Sequence, residues 1–416
     1  MDLEKVEHIY FLGIGGIGMS ALARYFHMRG KKISGYDRVR SIVARGLEDE
    51  GMTLFYKLDK QHVAGQDLLI YTPAISQSCE EYVAAEALGI PILKRSQILG
   101  LISEHYQTLA VAGTHGKTTT SSMLAHVLRA SGIDCTAFLG GIANNINGNF
   151  VFGESNQLVV EADEFDRSFL TLRPFVSVIT SLDPDHLDIY GEHAEMKKNF
   201  LAFGSLSQKL LVHASLKEAG WNQPVETYGI SEGIFQANHL RHQSLTTWFD
   251  FSGPGIDIRD ISLQMPGLHN VLNMTAALAI AFRQGADPGR LKSAAESFSG
   301  IYRRFQVHHH DDRVTYIDDY AHHPTEIEAA IQTGRHLFPE RQLMVVFQPH
   351  LFSRTRDFGG DFARALDQAD VSLLMDIYPA REAPIDGIDA EWLLDQMSAK
   401  DKAVVPRLEL TDAIAQ

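Results

Sequence analysis

At 416 residues, with 45% hydrophobic and 21% charged positions, the chain can bury more than one core, so two or three domains of roughly 100–200 residues each are expected. No apolar run approaches the roughly 20 residues that span a bilayer. The start, MDLEKVEH, leads into an apolar strand without the pattern of a secretory signal, so a cytoplasmic protein with no membrane partner is expected. A net charge of −15 argues against a nucleic-acid surface, and the two cysteines, Cys79 and Cys135, have no partners at metal-ligand spacing and fit a reducing compartment.

From His8 the run IYFLG reads as a strand entering the turn Gly13-Ile14-Gly15-Gly16-Ile17-Gly18, followed by a helical pattern, MSALARYFHMRG, and a strand, KISGYD. Glycines in such a turn let the backbone approach a pyrophosphate at a helix N-terminus. Asp37 stands about 20 residues on, where an acidic residue meets a ribose hydroxyl in dinucleotide-binding domains. The pattern points to a diphosphate-bearing ligand more firmly than to NAD. DLLIYTPA and IPILKRS continue a parallel sheet, with EEYVAAEALG as a covering helix, and this domain closes at Ser103.

A second strand-turn-helix cycle begins at TLAVAGTHGKTTTSSMLAHVLRASG. Gly113, Thr114, His115, Gly116, Lys117 and Thr118 form a phosphate-type loop in which N–H groups converge on phosphate oxygens, Lys117 adds a cation and the Thr118 hydroxyl can reach a magnesium ion. Two residues separate its glycines, where the general P-loop has four. Acidic residues follow two further strands: Glu161, Asp163, Glu164 and Asp166 after LVVEADE, and Asp183, Asp185, His186 and Asp188 after VSVITSLD. Carboxylates at strand ends beside a P-loop suit magnesium. Glu161 and His186 are the expected ligands, with Asp163 and Asp185 less favoured. HNVLNMTAALAIAFRQG is a strong helix, and SFSGIYRRF marks the second domain boundary.

The third unit alternates strands at VTYIDDYAH, QLMVVFQPH and VSLLMDIYP with helices at PTEIEAAIQTGRHLF and FARALDQAD. Arg354 and Arg356 follow the second of these strands. A guanidinium clamps a carboxylate or phosphate by forked hydrogen bonds. In a straight strand the two would share a face, whereas a loop could aim them apart. The run His308-His309-His310-Asp311-Asp312 reads as a solvated turn.

GIGGIGMSALA, AGTHGKTTT, VVEADEFDRSFL, DPDHLDIYG, HNVLNMTAALA, DDYAHHPTEIEAAI and FQPHLFSRTRDF, in that order, resemble the Mur ligase family over nearly the whole chain, and the family's short phosphate loop matches GTHGKT. The resemblance implies three α/β domains at residues 1–103, 104–299 and 300–416: an N-terminal Rossmann-like UDP-sugar domain, a central P-loop ATPase-like domain and a C-terminal Rossmann-like domain. It implies amide formation between UDP-N-acetylmuramic acid and L-alanine, driven by ATP with Mg2+, by a monomer or weak homodimer. Gly13, Gly15, Gly16, Ile17, Gly18, Asp37 and Thr72 would hold the UDP-sugar.

ATP would meet the loop residues Gly113 to Thr119, with Lys117 on its phosphates, and also His269, Asn270, Asn273, Arg304 and Asp319. Thr118 and Glu161 look like ligands of a first magnesium, and His186 of a second. Tyr320, His322, His350, Arg354 and Arg356 would receive the amino acid and the γ-phosphate. Some relatives carry a carbamylated lysine; Lys197 and Lys198 lie in that region, and no modification is expected. The family also implies a further strand beyond LELTDAIAQ. Competing readings are a murein tripeptide ligase of the same family, an NAD-dependent oxidoreductase built on GIGGIG, and a nucleotide sensor. GTHGKT with Glu161 and His186 counts against the last two.

Overall fold

The structure is a computed structural model that describes residues 1–183, 193–380 and 382–415. It falls into two compact units, one comprising Met1–His239, Phe249–Ile261 and Leu272–Tyr302, the other Leu240–Trp248, Ser262–Val271 and Arg303–Gln416. Among the described residues no helix is long and apolar enough to cross a membrane.

The chain begins with β1 (His8–Leu12), α1 (Ile17–Met28), β2 (Lys32–Tyr36), α2 (Ile42–Asp49), β3 (Thr53–Phe55), β4 (Leu68–Tyr71), α3 (Glu80–Ala87), β5 (Ile92–Lys94) and α4 (Arg95–Ser103). The five strands pair in parallel in the order β3-β2-β1-β4-β5. All but the first residue of β1 are buried, which is why its sequence is continuously apolar rather than alternating. The order reverses beside β1, so the Gly13 turn after β1 and Thr72 after β4 face each other at the switch point.

β6 (Gln107–Ala112), α5 (Lys117–Ala130), β7 (Thr136–Ala143), β8 (Gly148–Val151), β9 (Gln157–Glu161) and β10 (Pro174–Ile179) follow, then α6 (His193–Leu206), β11 (Lys209–His213), β12 (Glu226–Ile230), β13 (Phe235–Gln243), β14 (Thr246–Gly253) and β15 (Ile256–Leu263). Their ten-stranded sheet has the order β15-β14-β13-β12-β11-β10-β6-β9-β7-β8. β6 therefore sits between β10 and β9, and the C-terminal ends of all three converge. The first unit's main core joins both sheets: Phe11 and Phe26 share a buried cluster with Phe138, Leu158 and Phe200.

After α7 (Leu268–Arg283) and α8 (Pro288–Glu296) come the antiparallel pair β16 (Gln306–His310) and β17 (Thr315–Asp318), α9 (Pro324–Leu337), β18 (Met344–Phe347), α10 (Phe352–Leu366), β19 (Val371–Leu374), α11 (Ala390–Gln396), β20 (Lys402–Val404) and α12 (Leu410–Ala415). β18, β19 and β20 form a parallel sheet. Two expectations are corrected here. His308, His309 and His310 form most of β16 instead of a turn, although all three are exposed. Arg354 and Arg356 lie in the first turns of α10, neither in a strand nor in a loop.

Candidate active site

The four residues between β6 and α5 turn sharply because Gly113 and Gly116 take φ of +139° and +80°, which a side chain tolerates poorly. Their surroundings leave no room for one: a Cβ on Gly116 would fall 2.7 Å from Asn273 Oδ1, and one on Gly113 would collide with the Thr180 hydroxyl. The residues after β10 pin this loop. Ser181 Oγ accepts the His115 N–H at 2.8 Å and lies 2.8 Å from Thr114 Oγ1, while Thr180 Oγ1 donates to the His115 carbonyl. On the helix side, Thr120 Oγ1 donates to Asn273 Oδ1 at 3.0 Å. Thr118 and Thr119 are buried in the first turn of α5.

Lys117 folds back over its own loop. Its Nζ donates to the carbonyls of Gly113 at 2.7 Å and Thr114 at 3.1 Å, and to Glu164 Oε1 at 2.8 Å. Burial works to lower its pKa, but the Glu164, Asp163 and Glu161 carboxylates outweigh it and hold the ammonium at about 12. Burial lifts the fully enclosed Glu164 carboxyl to about 7 against the pull of Lys117. The lysine is thus a fixed cation with a partner that burial brings close to neutrality. Glu164 was not among the favoured residues; its signal was an acid placed directly after the strand that ends in Glu161.

Glu161 ends β9, and its Oε2 accepts the Gly140 N–H at 3.1 Å. A Cβ on Gly140 would run into this carboxylate, and one on Gly141 would fall 2.9 Å from Thr118 Cγ2. Glycines 140 and 141 of β7 therefore make room for both expected ligands on adjacent residues, a feature the motif reading missed. A carboxylate and a hydroxyl suit Mg2+, which keeps several waters and binds through one or two protein oxygens together with substrate phosphates. Among the described residues no group of three or more His, Cys, Asp or Glu is placed to hold a metal ion. His186, Asp185 and Asp188 lie outside the described residues.

In the N-terminal sheet, Gly13 has φ +83° and a Cβ there would fall 2.7 Å from Thr72 Cγ2. Gly13 and Ile14 both donate to the Tyr36 carbonyl, at 2.8 and 3.1 Å. Gly16 caps α1 without a side-chain bond, and Ile17 and Gly18 open the helix. Asp37 accepts the Gly15 N–H at 2.9 Å and the Val39 N–H at 3.0 Å, so its carboxylate braces the turn itself.

The second unit assembles most of the remaining candidates. Asp319 accepts the N–H groups of Phe305 and Ala321, both at 2.7 Å, and burial raises its carboxyl to about 6 against the pull of Arg304. Arg304 lies 3.8 Å from Glu326. The Asn270 side chain donates to the Pro266 carbonyl at 2.7 Å. His269 keeps an exposed edge, yet the protein crowded about its ring and the Arg304 charge push it down to about 4. Asn273, by contrast, stands beside the phosphate loop in the first unit.

His322 donates from Nδ1 to the Tyr320 carbonyl at 2.8 Å, and its ring centroid is 5.1 Å from that of Tyr320 and 6.2 Å from that of His350. His350 stacks on Tyr378 at 5.6 Å. Burial lowers both histidines, with Arg354 adding to the effect on each and Glu326 opposing it at His322; His350 reaches about 4. Arg356 points elsewhere: it is exposed and donates to its neighbour Asp357 at 2.7 Å. Residues two apart on a helix face nearly opposite ways, so the arginine pair is separated, and only Arg354 joins the histidines.

A phosphate-type loop charged by a buried lysine, in one unit with a glycine-turn sheet, has the make-up of an α/β nucleotide-dependent enzyme. The chain matches three family models: "Mur ligase family, catalytic domain" over residues 8–107, "Mur ligase middle domain" over 111–281 and "Mur ligase, glutamate ligase domain" over 303–416. A UDP-N-acetylmuramate–L-alanine ligase of Christiangramia forsetii is 43% identical over 424 residues, covering 99% of this chain and 93% of that one. The protein of the same name from Flavobacterium psychrophilum is 44% identical over 418 residues, covering 99% and 92%. A solved UDP-N-acetylmuramate-alanine ligase of Thermotoga maritima is 30% identical, with a TM-score of 0.83 and coverage of 97% and 92%. A murein peptide ligase of Psychrobacter arcticus, 23% identical with a TM-score of 0.72 and coverage of 98% and 92%, shares the fold. The chain belongs to the Mur ligase family and has its three-domain α/β architecture.

Proposed function

We propose that this protein joins L-alanine to the carboxylate of UDP-N-acetylmuramic acid, converting ATP to ADP and phosphate, in the synthesis of peptidoglycan precursors. The observation that carries the reading is the likeness, over essentially the full chain, to relatives bearing that name, joined to a phosphate-type loop with Lys117 folded over it and with Thr118 and Glu161 set against the adjacent glycines 141 and 140.

The loop N–H groups and Lys117 receive the phosphates of ATP. Lys117 must leave Glu164 to do so, and a carboxyl that burial already brings close to neutrality makes that exchange less costly than parting two fixed charges. A magnesium ion held by Thr118 and Glu161, and by His186 in a second position, would supply positive charge to the phosphate oxygens. A carboxylate oxygen of the sugar acid attacks the γ-phosphorus, the bond to the bridging oxygen breaks and ADP departs. The acyl phosphate is then attacked at carbon by the alanine amine, and phosphate leaves with the electron pair of the broken C–O bond.

The amine reacts only when neutral. Burial keeps the His350 imidazole neutral down to about pH 4, so beside Arg354 it adds no second positive charge to repel an incoming amine. Arg354 would hold the alanine carboxylate beside His322 and Tyr320. The sugar nucleotide would lie on Gly13–Gly18 and Thr72, and Asn273 would complete the ATP site beside the phosphate loop.

The test is a product-resolved assay in which ADP and phosphate appear only when UDP-N-acetylmuramic acid, L-alanine, ATP and Mg2+ are all present. Turnover with alanyl peptides but not alanine would assign a murein tripeptide ligase instead, and hydride transfer to a nicotinamide cofactor would overturn the reading.

A further inference from the structure

Arg95, the first residue of α4, belongs to neither motif, yet it touches both. Its guanidinium lies across the glycine turn: a Cβ on Gly18 would fall 2.8 Å from Nη1 and 3.1 Å from Cδ. On the other side Nη2 stands 3.5 Å from Asp163 Oδ2, two residues beyond Glu161. A small half-open pocket brings together Arg95, Ser96, Glu161, Asp163, Ser168 and Thr171. The arginine side chain is about one-quarter exposed (25%), so it is reachable from that pocket without being a free surface charge.

The position is electrostatically odd. An arginine at the first residue of α4 meets the positive end of that helix's dipole, where a cation costs up to about 1 kcal/mol, and it lies on the first turn of α1, where Gly18 sits. Asp163 offsets part of this, but at 3.5 Å and with the carboxylate 38% exposed the pairing is loose and of the weak surface kind. An anion with two adjacent oxygens, set against the same N–H groups, would satisfy the guanidinium better than one carboxylate oxygen does.

Resting on the proposed function, we infer that Arg95 is a binding residue for the diphosphate of the sugar nucleotide, and that Asp163 occupies the guanidinium until that ligand arrives. This explains why position 18 is a glycine: any side chain would displace the guanidinium from the turn. It also links the two ends of the substrate, because diphosphate binding would release Asp163 beside Glu161, at the point where the carboxylate reacts.

Calorimetry on the full chain tests this with two probes, UDP-N-acetylmuramic acid and UDP, and with a non-hydrolysable ATP analogue as control. Arg95→Gln is expected to weaken both uridine probes at least tenfold while changing the ATP analogue less than twofold. Arg95→Lys should recover little, for want of the fork. Asp163→Asn, which removes the competitor, should tighten both uridine probes. Unchanged binding of both by Arg95→Gln at an unaltered unfolding temperature overturns the inference. A loss confined to UDP-N-acetylmuramic acid overturns it too, by assigning the guanidinium to the carboxylate. If the wild-type chain binds neither probe, the proposed function itself falls.

Discussion

Replacing Lys117 by Met would leave Glu164 enclosed without its cation, and the structure dictates how the damage depends on pH. In the wild-type chain Glu164 is raised from 4.5 to about 7. A raised acid contributes fully below its unfolded value and loses that contribution as pH climbs through the folded one, a swing of about 3 kcal/mol at 1.36 kcal/mol per unit. Lys117, held at about 12, does not titrate in this window. Without Lys117 the folded pKa of Glu164 must rise past 7, so the variant keeps losing about 1.4 kcal/mol per pH unit above 7, where the wild type has levelled off. At about 2.1 cal/mol/K per residue a unit of this size shifts by about 1–2 °C per kcal/mol, so the gap in unfolding temperature should widen by about 2 °C per pH unit. Thermal unfolding of both proteins at pH 6, 7, 8 and 9 measures it, and Lys117→Met/Glu164→Gln should restore a pH-independent gap. A Lys117→Met gap that does not change with pH, or one that survives the second substitution, would refute the buried-pair argument. Turnover should fall at least a hundredfold in Lys117→Met while sugar-nucleotide binding persists, as calorimetry would show.

Gly140→Ala puts a methyl into the Glu161 carboxylate at a backbone angle alanine accepts, so the Mg2+ concentration for half-maximal activity should rise tenfold or more with little change in unfolding temperature; an unchanged magnesium titration would remove Glu161 from the metal site. Arg354→Lys should raise the KM for alanine at least tenfold, about 1.4 kcal/mol, whereas Arg356→Lys should stay within threefold, and steady-state kinetics with the reverse ranking would show that α10 is misread. Burial lowers His350 to about 4, so it stays neutral as pH falls from 7 to 5, and the stability it contributes is lost as pH drops from its unfolded value near 6.5 through the folded one; burial shifts His322 in the same direction. The ratio of wild-type to His350→Gln kcat/KM for alanine should therefore hold steady from pH 7 to 5, because no charge appears at His350 in that range; a change centred at 6.5 would show an imidazole that burial does not hold down.

What the sequence made legible follows from physics as well as motif. β1 and β6 read as strands because central parallel strands are buried on both faces, so that IYFL and LAVA run apolar without alternation. The strands β13 to β15 went unread, since their outward positions are polar and exposed, as in the mixed burial of Ile256–Leu263. The helix read at FARALDQAD begins ten residues earlier, at Phe352, and Gly359 within it serves packing: a Cβ there would fall 2.6 Å from the Trp392 ring. Loop residues were recognisable by type, whereas Glu164, Arg95 and the Gly140–Gly141 pair act through contacts between distant segments. Spacing also said where Arg354 and Arg356 stand but not that a helix sends them apart.

The seam inside the first unit has a practical side. Ser103, where the N-terminal domain was closed, is fully buried; its hydroxyl donates to Gly100 at 2.6 Å and accepts the Arg173 N–H at 3.0 Å, and its carbonyl takes a bond from Thr108 at 3.1 Å. Farther along, Asn149 of β8 donates to the Ile17 carbonyl at 2.6 Å and accepts from Arg24 at 2.9 Å, while Tyr25 packs its ring 5.5 Å from Phe138. A gene trimmed at residue 103 to make a small piece for inhibitor screening would express a polypeptide with raw apolar flank, prone to clump. Cassette exchange of the first hundred residues between related enzymes would meet the same obstacle unless α1, β7 and β8 travelled together, so the smallest exchangeable part is the pair of sheets.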